Sequence, residues 1–278
     1  MKIFITGATG YIGQAVAEAI SAAGNEVLAL AHRPGAAEEL RGHGWTPVGG
    51  DLRKPETLAA AVAAADGAIH TANTNADDAG QADRAAVSAM LGALAGSGKP
   101  FVYTSGVWVL GDTGGGVSNE GSSTANALPK VAWRAEVEKR VLAAAEDGVR
   151  SVVLRPGIVY GHGGGIPAML AAGKLPLVGD GEQHWTTVHV DDLADLYLLA
   201  LTAPAGTVLH GISGEVTMGE LAAACGVVER VSAETARERF GGFGDALALD
   251  QRISAERSRE VTGWEPGRPG ILDEGARG

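Results

Sequence analysis

Gly7, Gly10 and Gly13 stand three residues apart between an apolar run, Met1-Lys-Ile-Phe-Ile-Thr6, and a stretch with helical periodicity. That spacing suits a pyrophosphate. The first glycine turns the chain sharply, the second removes a Cβ from the path of the phosphates, and the third lets a helix lie close on a sheet. Thr9, Tyr11 and Ile12 complete the turn, and a helix opening there aims free backbone amides and a positive dipole end at the anion. A second candidate follows the next apolar run, where Glu26-Val-Leu-Ala-Leu30 leads into Ala31-His32-Arg33 with no carboxylate until Glu38. An acidic side chain there accepts from the ribose hydroxyls of NAD, whereas arginine accommodates the 2′-phosphate of NADP. Arg33, with His32 beside it, therefore favours NADP, with NAD as the alternative cofactor.

Other chemistries find less support. The formal charge of −11 comes without a basic cluster, which disfavours nucleic acid and anionic lipid as partners. Cys225 is the only cysteine, so no disulfide framework or cysteine zinc site is expected, in keeping with a reducing compartment. The seven histidines show no HExxH pattern and no carboxylate–histidine cluster in the sequence, and no metal is expected on that ground. No run approaches the roughly 20 apolar residues of a membrane span. The N-terminus has no secretory pattern, so a cytoplasmic location is expected.

Positioning these residues requires an ordered sheet. Strand-like runs at 2–6, 26–31, 46–48, 68–70, 101–104 and 151–155 alternate with helix candidates at 12–23, 38–41, 55–65, 81–96 and 131–145. Such alternation predicts an α/β protein with a doubly wound parallel sheet of Rossmann type, its ligands beyond the carboxyl ends of the strands. After Arg155-Pro-Gly157 the pattern becomes loops and short strands. The length of 278 residues suits one dinucleotide-binding domain with a modest appendage. The expected division is a cofactor domain over 1–156, which also receives 186–212, and a small substrate-facing lobe over 157–185 and 213–278. Acidic residues in Asp191-Asp-Leu-Ala-Asp195 open a helix that returns to the main domain.

The glycine turn, Gly50-Asp51-Leu52, Tyr103-Thr-Ser-Gly106, Leu154-Arg-Pro-Gly-Ile-Val-Tyr-Gly161 and Val188-His-Val-Asp-Asp192 occur in that order. Together they resemble the NAD(P)-dependent epimerase/dehydratase branch of the short-chain dehydrogenase/reductase superfamily, over about 1–203. The resemblance implies that Gly7, Gly10 and Gly13 hold the pyrophosphate and that Asp51, followed by Leu52, binds the adenine amino group. It also implies that Thr71, Ala72 and Asn73 pack on the nicotinamide side and that Pro156 lies against the cofactor. Asp51 has a second reading as the cap of the helix near Pro55.

The family's Tyr-xxx-Lys pair is missing, because no tyrosine occurs between Tyr103 and Tyr160. Aligning Glu138 with the family's glutamate puts Lys130 at the tyrosine position and Arg134 at the lysine position. Counting back from Gly111 puts Gly106 at the hydroxyl position, with Ser105 one residue earlier. Arg134 can hold ribose hydroxyls or an oxyanion but cannot exchange protons near neutral pH. Lys130 could act as a general acid if burial beside a second cation lowered its pKa, and a solvent-facing lysine weighs equally. Ser105 and Tyr103 are reserve donors, Tyr103 having an equal reading as a core residue.

On the substrate side the fold is expected to bring Trp108, Trp133, His184 and Trp185 to the rim of a cleft, which suits a planar apolar small molecule. The tryptophans could equally fill a core. Between Gly157 and Thr202 the only Lys or Arg is Lys174, which disfavours a sugar diphosphate. Three readings follow. The first is an NADPH-dependent reductase of a carbonyl or another polarised double bond. The second is a nucleotide-binding sensor without catalysis, and the third is a sugar-nucleotide epimerase or dehydratase. A homodimer through helices 81–96 and 131–145 is left open.

Overall fold

The computed structural model describes residues 1–275. Strand β1 (Lys2–Thr6) leads into α1 (Tyr11–Ala22), followed by β2 (Glu26–Ala31), α2 (Ala36–Gly42), β3 (Thr46–Gly49) and α3 (Pro55–Ala63). Then come β4 (Gly67–His70), α4 (Ala79–Leu94) and β5 (Pro100–Thr104). A short β6 (Val117–Ser118) precedes α5 (Ala132–Ala143), β7 (Arg150–Pro156), β8 (Ile158–Tyr160) and α6 (Gly165–Ala171). The chain continues through β9 (Leu177–Val178), β10 (His184–His189), α7 (Val190–Ala200), β11 (Thr207–Gly211), β12 (Gly214–Thr217) and α8 (Met218–Ala224). Last are β13 (Arg230–Val231), α9 (Ala233–Phe240), α10 (Gly242–Leu247), β14 (Arg252–Ile253), α11 (Glu256–Thr262) and α12 (Ile271–Gly275).

Seven strands form one sheet in the order β11-β7-β5-β4-β1-β2-β3, with parallel pairing from β7 through to β3. This is a Rossmann-type doubly wound fold. The strand order reverses between β1 and β4, where such sheets bind their ligands. β1 is buried on both faces from Ile3 to Thr6, as a parallel strand covered by helices must be. Helix α1 packs through Gly13, Val16, Ala17 and Ile20, a stripe at helical spacing. Pro55 at the start of α3 needs no amide partner there.

Two compact units divide the chain. The first comprises Met1–Thr104, Glu136–Leu154 and Ala194–Val208, and the second comprises Ser105–Ala135, Arg155–Leu193 and Leu209–Gly278. The second unit thus takes in 105–135, 155–156, 186–193 and 209–212, which the sequence pattern assigned to the cofactor domain. Residues 276–278 of the expected lobe lie outside the described residues. In the second unit β12, β10 and β8 form a three-stranded sheet. A capping box of Thr217 and Glu220 starts α8; both hydrogen bonds from Thr217 hold the Glu220 carboxyl below its usual range. No described helix is long and apolar enough to cross a membrane.

Candidate functional site

A cavity of about 440 Å³ opens in the first unit at the ends of β1, β2, β3 and β4. Gly7, Thr9, Gly10, Tyr11, Ile12 and Gly13 form its floor, with Asp51 and Leu52 after β3 and Thr71, Ala72 and Asn73 after β4. The geometry of the turn follows from two glycines. Gly7 has φ of +79°, and an added Cβ would meet Ala72 N at 2.8 Å, so a side chain is excluded both by conformation and by space. A Cβ on Gly13 would come within 2.0 Å of Gly7 O. Gly10 differs, because its nearest neighbour would be Gly7 O at 3.2 Å. No side chain caps α1 and no acidic residue lies in its first turn, which suits an anion at that end.

Asp51 does not cap α3. Its Oδ1 accepts from Arg53 N at 2.9 Å, while Lys54 occupies the cap position without a side-chain bond. Arg33 is not among the residues lining the cavity; its guanidinium pairs with Glu39, both side chains being 46% and 39% exposed. His32 lines the cavity in its place, joined by Arg53, Thr74 and Asn75, which the sequence reading missed. Arg53 grips Asp78 with two bonds, Nε to Oδ2 at 2.6 Å and Nη2 to Oδ1 at 3.0 Å. These bonds raise the Arg53 pKa and lower that of Asp78. The signal for Arg53 was its place two residues after Asp51, on the same loop.

Behind the cavity wall four buried polar side chains meet. Thr6 Oγ1 accepts from Ala72 N at 3.3 Å and lies 2.7 Å from His70 Nδ1. His70 Nε2 lies 3.0 Å from Asp83 Oδ1, and the Tyr103 hydroxyl donates to Asp83 Oδ2 at 2.9 Å. Every donor is used when the Thr6 hydroxyl donates to Nδ1 and the Nε2 proton goes to Asp83. Tyr103 is thus a core residue, and its reserve role as a proton donor is withdrawn.

The catalytic candidates fall in the second unit. Ser105, directly after β5, is 8% exposed, and its Oγ is buried without a hydrogen-bond partner. Lys130 sits exposed in the 3-10 turn Pro129–Val131, so the burial required for its general-acid role is absent. Arg134 places its guanidinium 4.6 Å from the Trp133 ring centroid. Pro156 is buried at the end of β7. Trp185 is 3% exposed within an apolar cluster that includes Ile158, Val178 and Met218, which corrects its expected place at a cleft rim. Trp108 packs partly buried on the same cluster, its ring 6.1 Å from that of Phe243. His184 Nδ1 lies 3.0 Å from Asp250 Oδ1.

One cluster contradicts the sequence reading of the histidines. His162, His189 and Asp191 offer ligand atoms within 4.8 Å of one another. The cause is strand pairing, because β8 and β10 run side by side with Tyr160 opposite His189. Residues 27 positions apart thereby become neighbours, which no local pattern reveals.

A doubly wound sheet with a glycine turn, an uncapped helix and a cavity at the strand reversal defines a dinucleotide-binding protein. The chain belongs to the NAD dependent epimerase/dehydratase family, whose model matches residues 3–212. It is 32% identical to protein C2A9.02 of Schizosaccharomyces pombe, over 96% of this chain and 95% of that one. It is 31% identical to a 2-alkyl-3-oxoalkanoate reductase of Stenotrophomonas maltophilia, over 79% of this chain and 71% of the other. Among solved structures, human epimerase family protein SDR39U1 with NADPH superposes with a TM-score of 0.76 at 22% identity, covering 100% of this chain and 99% of that chain. That last likeness shows the fold. Family members are NAD(P)-dependent oxidoreductases, epimerases and dehydratases.

Proposed function

We propose that this protein is an NADPH-dependent reductase of a carbonyl, or a similarly polarised double bond, in a small and largely apolar molecule. The observation that carries this reading is Ser105, a buried hydroxyl with no hydrogen-bond partner among the described residues. A buried polar group left unpaired costs stability, and such a hydroxyl can bond a ligand instead. Bound NADPH would supply hydride to the carbonyl carbon. The Ser105 hydroxyl then donates to the oxygen as negative charge develops on it, and the proton that completes the alcohol comes from solvent. Arg134 holds the cofactor ribose, its fork steadied by the Trp133 ring. The reductase named among the relatives supports a 3-oxo acid as the first substrate to try.

NADP is favoured over NAD because β2 ends in Ala31-His32-Arg33 with no carboxylate. The Arg33–Glu39 pair is exposed at both ends, and such pairs are weak, so a 2′-phosphate dianion can take the guanidinium from Glu39. The test is NADPH oxidation measured against 3-oxoalkanoates, aldehydes, ketones, enones and imines. Turnover of one class supports the reading. Tight nucleotide binding without turnover across the panel would transfer it to the sensor reading, which the exposure of Lys130 and the missing tyrosine favour.

A further inference from the structure

The second unit holds a group of side chains that the reductase reading does not use. Beyond the paired residues Tyr160 and His189, β8 continues into Gly161 and His162, and β10 into Val190 and Asp191. His162 Nε2 lies 2.8 Å from Asp191 Oδ1, and the rings of His162 and His189 meet at 5.6 Å. Glu274 of α12 brings Oε2 to 3.4 Å from His189 Nε2. Among the described residues that buried carboxylate oxygen has no hydrogen-bond partner. Two features of the backbone bring the rings together. His162 adopts φ of 52°, a left-handed conformation uncommon outside glycine. Gly161 has φ of 112°, and a Cβ there would come within 2.5 Å of His189 Nε2.

We propose that His162, His189, Asp191 and Glu274 bind a divalent transition-metal ion of the zinc class. Two imidazole nitrogens and two carboxylate oxygens suit such a borderline cation, whereas magnesium and calcium call for oxygen ligands throughout. The charge agrees. Among the described residues, one guanidinium stands against the two carboxylates, that of Arg268, whose Nη2 lies 3.7 Å from Asp191 Oδ2. Without an ion, Asp191 N donates to His189 Nδ1 at 3.1 Å, so the ring proton sits on Nε2 and faces Glu274. Binding of the ion at Nε2 moves that proton to Nδ1 and breaks the bond from Asp191 N, so the ion selects the other tautomer of the neutral ring. The ion joins the β8 loop, the start of α7 and α12, and so its effect is to stabilise the second unit.

The tag-free full chain, stripped with a chelator and desalted, should be titrated with cobalt(II) followed by visible absorption and with zinc followed by calorimetry. One equivalent per chain is expected, with cobalt ligand-field bands, a higher melting temperature in zinc and no comparable effect of magnesium. His162 is 64% exposed, so His162→Ala should fold normally and lose at least about tenfold in zinc affinity. Glu274→Gln should also weaken binding, and it serves as the second variant if His162→Ala proves unfolded by circular dichroism. Affinity unchanged in either folded variant overturns the proposal, as does a wild type that shows no one-equivalent break. Neither result bears on nucleotide binding, which is measured separately.

Discussion

The carbonyl oxygen of Gly7 stands 2.0 Å from the place a Cβ on Gly13 would take. Helix α1 can approach β1 only while residue 13 has no side chain. Gly13→Ala should therefore lower stability by about 3 kcal/mol, the upper range for overpacking, through displaced backbone. Gly10→Val is expected to behave differently, since Gly10 has an extended backbone with φ of −94° and meets only Gly7 O at 3.2 Å. That variant should stay folded and lose the thermal stabilisation that saturating NADPH gives the wild type. A Gly10→Val protein still stabilised by NADPH would place the phosphates elsewhere.

Arg33→Ala should separate the two nicotinamide cofactors. A charge-assisted bond to a 2′-phosphate contributes roughly 1.5–3 kcal/mol, so NADPH affinity should fall about tenfold or more while NADH affinity holds. Calorimetric titration of both nucleotides with wild type and variant checks this. Equal wild-type affinities for the two cofactors would remove the NADP preference.

Ser105→Ala removes a hydroxyl with no hydrogen-bond partner among the described residues. Its stability should stay within about 0.5 kcal/mol of wild type, while kcat on any substrate found drops by roughly 10², the effect of losing one donor to a developing oxyanion. Denaturant unfolding and steady-state kinetics on the same preparation measure both. A large loss of stability with kcat unchanged would make Ser105 a packing residue.

Asp83 accepts from both His70 and Tyr103, so the two ends of this buried set should respond unequally. Tyr103→Phe removes one donor and should cost about 1 kcal/mol. Asp83→Ala strands a ring N–H and a phenol in the core at a cost of roughly 3–5 kcal/mol. Since Thr6 links the set to Ala72 N in the cavity wall, Asp83→Ala should also weaken nucleotide binding. Urea unfolding compared with NADPH titration resolves the two effects.

The sheet and the glycine turn were legible because their signals are local. Alternating apolar runs mark each strand, and Gly7, Gly10 and Gly13 answer to steric demands within a dozen residues. Asp51 and the residues 71–73 after β4 were reached through the family resemblance, and they line the cavity. What escaped the sequence depends on contacts distant along the chain. Nothing near residue 185 distinguishes a rim tryptophan from a buried one, and Trp185 is decided by packing on Met218 and Val178. The chain after Ser232 is charged and weakly periodic, and it forms α9 to α12. Single remote bonds anchor it, such as Gln251 Nε2 to Val107 O at 2.9 Å and Trp264 Nε1 to Asp192 O at 2.8 Å. Lys130 was assigned by alignment alone, and alignment does not report exposure.

The forked pair between Arg53 and Asp78 makes one side of the cavity sensitive to salt. Arg53 follows β3 and Asp78 follows β4, while β2 and β1 lie between those strands in the sheet, so the pair forms a strap across the strand ends where the cavity opens. Arg53 itself lines the cavity, so the pair fixes where its guanidinium stands beside a bound nucleotide. Both partners are solvent-exposed, and added salt screens such a contact. The hold on Arg53, and with it the lining on that side of the cavity, then loosens as ionic strength rises.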